Sequence, residues 1–141
     1  MPTDRSRKIM DSLVLMAHDI IPVANARVIA CLVNKNKIIC YGVNEKKTHP
    51  MAVRFSRHPD AQSLHAEIAC IRNCINKYGP DILKKSTLYV ARVKRFNDNQ
   101  EFIWGMAKPC RGCEDAIVTF KIPKVIYTTN TKNNLGVSYY Q

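Results

Sequence analysis

Nothing in this sequence of 141 residues is long and apolar enough to cross a membrane as a helix. Internal repeats, low-complexity tracts and linker-like stretches are also missing, which leaves no support for a solenoid or a string of small modules. Acidic residues are scarce: 11 Asp and Glu stand against 22 Lys and Arg, a formal net charge of +11. Such an excess points to a polyanionic partner or a phosphorylated substrate, or else to a surface that is basic throughout. The charges are spread along the chain, with small clusters at Arg5-Ser6-Arg7-Lys8, Glu45-Lys46-Lys47 and Arg92-Val93-Lys94-Arg95. The basic start runs into Asp11, His18 and Asp19, which makes a poor signal peptide, so a cytoplasmic protein is expected. What is present is enough for a real core. A hydrophobic content of 46% and this length fit one globular domain over residues 1–141.

Periodicity supplies the order of elements. Ile9, Leu13, Met16 and Ile20 recur at helical spacing, so residues 4–21 read as an amphipathic helix closed by Pro22. Residues 27–33 and 37–43 are apolar, β-branched runs around a tight turn at Asn34-Lys35-Asn36, which reads as a hairpin. Residues 44–64 lack periodicity, contain Pro50 and Pro59, and read as a long loop of the kind that often carries function. A helix over 66–78 is apolar nearly all round and should be buried; Gly79-Pro80 stops it. A strand follows at 87–93, then an excursion over 95–108 with a turn at Asn97-Asp98-Asn99. A third helix runs from Cys110 to about Phe120, a strand from Lys124 to Thr129, and an edge strand from Leu135 to Tyr140. Two strands followed by alternating strands and helices indicate a mixed three-layer α/β sandwich. Of the six cysteines, Cys31, Cys40, Cys70 and Cys74 fall in apolar runs and read as buried free thiols. The spacing of Cys70 and Cys74 also leaves a second metal site conceivable.

The chemistry lies in two short segments. His65-Ala66-Glu67 opens one helix, and Pro109-Cys110-Arg111-Gly112-Cys113 opens another. One His and two Cys offer three ligands to a single zinc ion, with the fourth position left for water, as a catalytic zinc requires. Cys110 and Cys113 are three apart and share one helix face. Pro109 suits a first helical turn, where its missing N–H costs nothing. A helix N-terminus favours anions and so favours the thiolates that zinc binds. Glu67 is the only acid inside either segment and is the natural proton shuttle beside an activated water. Taken alone, C-x-x-C also fits a redox pair or a structural zinc knuckle, and Glu67 alone fits a solvated helix start. A structural zinc usually closes with four protein ligands, and no fourth Cys or His stands close to either segment.

This H-x-E…P-C-x-x-C arrangement is the signature of zinc-dependent nucleobase deaminases. On these residues the chain resembles the cytidine deaminase superfamily, particularly its deoxycytidylate deaminase-like branch, from about residue 27 to residue 130. The resemblance implies a five-stranded mixed sheet flanked by helices, with both zinc-bearing helices on one face, and a homo-oligomer. It also implies His65, Cys110 and Cys113 as ligands of one zinc per chain and Glu67 as the catalytic proton shuttle. Gly42-Val43-Asn44 is similar to the family's Gly-x-Asn segment, which makes Asn44 a contact to the substrate sugar; a plain turn residue is the alternative. By the same likeness the Ala66 N–H would hold the base carbonyl, and the Lys108 carbonyl would meet the leaving amine. The chain departs from the branch at Ala69, where an Asn is frequent. The tRNA adenosine deaminases are less similar, because Arg111 and Gly112 separate the two cysteines.

Three functions fit these observations. The first is deamination of a free cytosine nucleotide or nucleoside, with Arg54, Arg57 or Arg111 available to a phosphate. The second is deamination of cytosine or adenine in single-stranded DNA or RNA, with Phe96, Phe102 and Trp104 as a stacking platform, unless they simply pack the excursion or an interface. The third is a non-catalytic zinc-stabilised module, which would have no reason to keep Glu67.

Overall fold

The computed structural model describes residues 3–19, 26–44, 65–95 and 101–140. Among the described residues, three α-helices, α1 (Asp4–His18), α2 (Ala66–Tyr78) and α3 (Arg111–Thr119), flank a mixed sheet. Its strands are β1 (Ala26–Asn34), β2 (Lys37–Val43), β3 (Thr87–Lys94), β4 (Ile103–Gly105), β5 (Lys124–Thr128) and β6 (Leu135–Tyr139). They run in the order β2-β1-β3-β5-β6, with β4 paired to β3 off this path. The five expected strands are therefore joined by a sixth, short one inside the stretch read as an excursion. The turn expected at residues 97–99 lies outside the described residues.

The hairpin turn is tight because Asn34 pairs with Lys37, leaving Lys35 and Asn36 as its two tip residues. Both adopt left-handed backbone, at φ 50 and 65, which suits the twist of an antiparallel pair. β3 runs antiparallel to β1 on one side and parallel to β5 on the other. The parallel pair needs a crossover, and β4 with α3 forms it. β5 pairs only with residues 87–90 of β3, and β4 takes its place beside Arg92, Val93 and Lys94. Thr128, fully buried, closes that junction: its Oγ1 accepts from the Arg92 N–H at 3.0 Å and donates to the Gly105 carbonyl at 2.8 Å.

Period-two alternation sorts the sheet into two faces. Ala30, Leu32, Leu88, Val90 and Val125 pack with α2 and α3 residues such as Ile71, Cys74, Ala116 and Ile117. Ile29, Cys31, Tyr89, Ala91, Val93 and Ile126 pack with Met10, Leu13, Val14 and Ala17 of α1. The result is the expected three-layer arrangement, with the two motif-bearing helices on one face. The α1 face differs from the sequence reading. Met10, Leu13, Val14 and Ala17 are buried, whereas Met16 is exposed and the helix ends at His18. A buried hydrogen bond between the hydroxyls of Ser6 and Tyr89, 3.0 Å, fixes that rotation. Cys31, Cys40, Cys70 and Cys74 are buried free thiols, as expected. A further 3-10 helix at Asp81–Lys85, which periodicity did not indicate, seats the fully buried Leu83 behind α2.

The seat of α2 depends on Gly42. A Cβ there would lie 2.2 Å from the Cys70 nitrogen and 2.5 Å from the Ala66 carbonyl oxygen. The missing side chain lets β2 touch the first turn of the helix that begins after His65. Gly42→Ala should therefore lift α2 off the sheet and destabilise the fold by about 1–3 kcal/mol or more, as overpacking does. Urea denaturation measures this, and an unchanged midpoint would refute the close approach.

Candidate active site

The N-termini of α2 and α3 meet at one end of the sheet. His65 is the N-cap of α2 and Cys110 the N-cap of α3, each with extended backbone and neither with a side-chain cap hydrogen bond. Both side chains are thus released from capping duty. Pro109 precedes the cap and so stands outside the first helical turn that the sequence suggested for it. The His65 Nδ1 lies 3.3 Å from Cys113 Sγ and 3.5 Å from Cys110 Sγ. All three donor atoms fall within 4.8 Å of one another. Tetrahedral zinc with Zn–N near 2.0 Å and Zn–S near 2.3 Å separates nitrogen and sulfur ligands by roughly 3.5 Å. One imidazole nitrogen and two sulfurs at these distances fit one zinc ion. No second group of three potential ligands occurs among the described residues, so Cys70 and Cys74 gain no support as a metal site. His49 and His58 lie outside the described residues.

The two cysteines divide one proton between them. The Cys113 thiol first, then His65, holds the Cys110 sulfur down to about 3. Cys113 is pushed strongly up by its hydrogen bond to Cys110 and by burial. One sulfur is therefore already a thiolate, the form a soft metal binds. His65 is raised, chiefly by its hydrogen bond to Cys110.

Glu67, on the first turn of α2, is a buried charged residue at 7% exposure. Burial is the main force that raises its carboxyl, against the pull of its own backbone N–H and of His65. It lines a cavity of about 250 Å³ together with His65, Ala66, Cys110, Asn44, Val28, Val90, Arg92, Met106, Ala107 and Lys108. Of the residues that the resemblance implied for metal, catalysis and substrate, all but Cys113 line this cavity, and Cys113 lies against His65.

Local bonds explain how distant segments arrive there. Asn44 continues the hairpin: its N–H donates to the Val28 carbonyl at 3.2 Å, and its Oδ1 accepts from the Val28 N–H at 3.1 Å. With Oδ1 held by the Val28 N–H, the side chain is oriented and keeps its Nδ2 hydrogens for a ligand. Ala66 is the first residue of α2, so its N–H has no partner within the helix. The segment that carries Lys108 and Cys110 is held by Ala107 N–H to Thr128 carbonyl, 2.9 Å, and Met106 N–H to Asn130 Oδ1, 3.0 Å.

Other expectations separate. Arg111 is exposed on α3 and does not line the cavity; Arg54 and Arg57 lie outside the described residues. Phe102 is clasped by Arg27 and Arg95, whose guanidinium carbons lie 4.3 and 4.5 Å from its ring centre, and His18 meets its edge. Trp104 is buried in the α1-side core. Both aromatics therefore pack the excursion, and neither lines the cavity; Phe96 lies outside the described residues. Sequence reasoning missed Arg92, Met106, Val28 and Val90. For Arg92 a signal existed: it follows Leu88 and Val90 at strand period on the face of the motif-bearing helices.

The purified protein should carry about one zinc per chain, because the three donors fit one ion. His65→Ala and Cys113→Ala should each bring the content well below that. Chelation should lower Tm, since the ion would tie together two helices distant in sequence. Elemental analysis and a melting curve check both, and a metal-free protein with an unaltered Tm would rule out the structural link.

Cytidine deaminase from Burkholderia pseudomallei superposes with a TM-score of 0.60 at 15% identity, over 94% of this chain and 90% of that one. Cytidine deaminase from Mycobacterium leprae superposes at 0.48 with 16% identity, over 93% and 88% of the two chains. No curated protein matches at a significant level in sequence. The family model described as the cytidine and deoxycytidylate deaminase zinc-binding region matches residues 3–129. The chain belongs to that family of zinc-dependent deaminases.

Proposed function

We propose that this enzyme converts cytosine to uracil in a free (deoxy)cytidine nucleotide or nucleoside, with release of ammonia. The observation that carries the reading is a small cavity lined by a carboxylate, Glu67, that is buried beside the His65, Cys110 and Cys113 cluster. In this reading the three residues hold zinc, which when bound lowers the pKa of a water to about 7 and makes it nucleophilic at neutral pH. Oxygen adds at C4 of the ring, and the C4–N bond breaks. Glu67 takes a proton from the attacking water, delivers it to the ring nitrogen N3, and passes the next to the departing amine. Burial raises this carboxyl, the direction that suits a group serving as base and then as acid. The Ala66 N–H, which has no acceptor within its helix, holds the base carbonyl, Asn44 offers Nδ2 hydrogens to the sugar, and the Lys108 carbonyl receives the leaving amine.

A free nucleotide or nucleoside is favoured over a base within a strand because Phe102 and Trp104, the candidate stacking side chains among the described residues, are already engaged. Stacking platforms on single strands need open rings. Phe102 has arginines against it, and Trp104 is in the core. The net charge of +11 suits either substrate. A salt series separates them: polynucleotide binding falls steeply with salt through counterion release, whereas a single phosphate gives a shallow slope. Deamination confined to oligonucleotides, with a steep slope, would overturn the reading.

Glu67→Ala should retain zinc and the folded spectrum while losing about 100- to 10,000-fold in turnover, the usual worth of general acid–base catalysis. Ammonia release from deoxycytidylate and deoxycytidine measures it, and near wild-type turnover would remove Glu67 from the proton path. We also propose a cytoplasmic homo-oligomer. Ile103, Met106 and Tyr139 present large apolar side chains to solvent, at 50, 43 and 68% exposure. Light scattering should report more than a monomer at working concentration; a monomer throughout would count against assembly.

A further inference from the structure

We propose that Arg92 is the specificity-determining residue that binds the phosphate monoester of a cytosine mononucleotide. The assignment rests on the reading of the cavity as a cytosine nucleotide site. Arg92 lies on β3 after Leu88 and Val90, on the face covered by α2 and α3. Those two positions are apolar and closed over; the next in the same register is a guanidinium at the wall of the cavity that Glu67 and Ala66 line. Its Nε is wholly buried and has no hydrogen-bond partner among the described residues. A buried Nε is not peculiar to Arg92, since Arg27 has one too; what sets Arg92 apart is its place in the lining of the cavity, where a guanidinium favours an anion.

The surroundings prepare it for an anion. Gly105 of β4 stands opposite Arg92 in the ladder, and a Cβ there would sit 3.1 Å from both Cγ and Cδ of the arginine. The glycine thus gives the arginine stem room to lie across β4. The backbone is tied down by the Arg92 N–H to Thr128 Oγ1 bond, so the stem starts from a fixed point. Neighbouring cations are committed elsewhere: Arg27 and Arg95 lie on the Phe102 ring, and Lys94 Nζ bonds Asn130 Oδ1 at 3.1 Å. Among the described residues, Lys108, which is exposed, also lines the cavity.

A cytosine nucleotide carries its only anionic group on the sugar, at the 5′ position. An arginine fork matches a phosphate with paired N–H donors. A strand's phosphates would follow an outer groove. A guanidinium in the lining of the cavity meets a group that enters with the base. Recognition by Arg92 would therefore favour a mononucleotide over the unphosphorylated nucleoside.

The test uses zinc-loaded wild type, Arg92→Gln and Arg92→Lys, titrated calorimetrically with the products deoxyuridine 5′-monophosphate and deoxyuridine, which are not consumed. The preference for the nucleotide over the nucleoside should fall about 10- to 100-fold in Arg92→Gln, the worth of hydrogen bonds to a charged group. Arg92→Lys, which keeps the stem and the charge but loses the fork, should fall less and keeps the test open if the glutamine variant is unstable. In turnover, KM for deoxycytidylate should rise while kcat changes little. Equal losses for nucleotide and nucleoside, or no loss for either, would overturn the assignment, as would an arginine-dependent, steeply salt-sensitive affinity for oligonucleotides. If wild type deaminates no cytosine compound yet its nucleotide preference still depends on Arg92, the functional reading fails and the phosphate assignment stands.

Discussion

The close approach of α2 to β2 is the constraint on which the site depends. Gly42 lets the helix backbone at Ala66 and Cys70 sit directly on the strand. That contact fixes where α2 starts, and the residue at the start is His65. The opposing start is fixed by a different device. Thr128 and Asn130, at and just after the end of β5, hold Gly105, Met106 and Ala107 by hydrogen bonds, and the chain then reaches Cys110 within three residues. Two independent anchors thus bring a histidine and two cysteines to within hydrogen-bond distances of each other. A slip of one residue in either helix would turn its ligand by about 100°, since a helix completes a turn in 3.6 residues.

Much of this was legible because it rests on local rules. The α2 boundaries follow from an apolar run opened by the motif and closed by Gly79, whose φ of 81 is the left-handed stop a glycine supplies. The two zinc-binding segments were readable because a metal site requires particular atoms at fixed spacing, and few other demands on a chain produce that pattern. Asn44 was readable as a position but not as an interaction. Its Oδ1 is used by Val28, so its role as a donor emerges only from the fold.

The misses share one cause, which is that tertiary contacts decide between local options of similar quality. In α1 both Ile9-Leu13-Met16 and Met10-Leu13-Val14-Ala17 form plausible apolar stripes, about one residue apart around the helix. The Ser6–Tyr89 hydrogen bond, across 83 positions of sequence, selects the second. β4 is three residues long and shows no period of its own; it is a strand because β3 continues past the end of β5 and leaves an unpaired edge. Arg92 stood in a run of cations that looked like a solvated face, yet alternation along β3 sends Arg92 to the cavity wall while Val93 enters the opposite core.

That alternation also changes the meaning of the positive charge. A net +11 read from composition suggests a diffuse field. In the fold, the Arg92-Val93-Lys94-Arg95 cluster divides into separate tasks. Lys94 holds Asn130, which in turn holds Met106 at the cavity. Arg95 joins Arg27 in bracing Phe102 beneath the excursion. Arg92 lines the cavity. Much of this cluster's charge therefore supports the scaffold, and the share left for a ligand is local and directional. Specificity in such a site depends on where one guanidinium points, and composition alone does not carry that information.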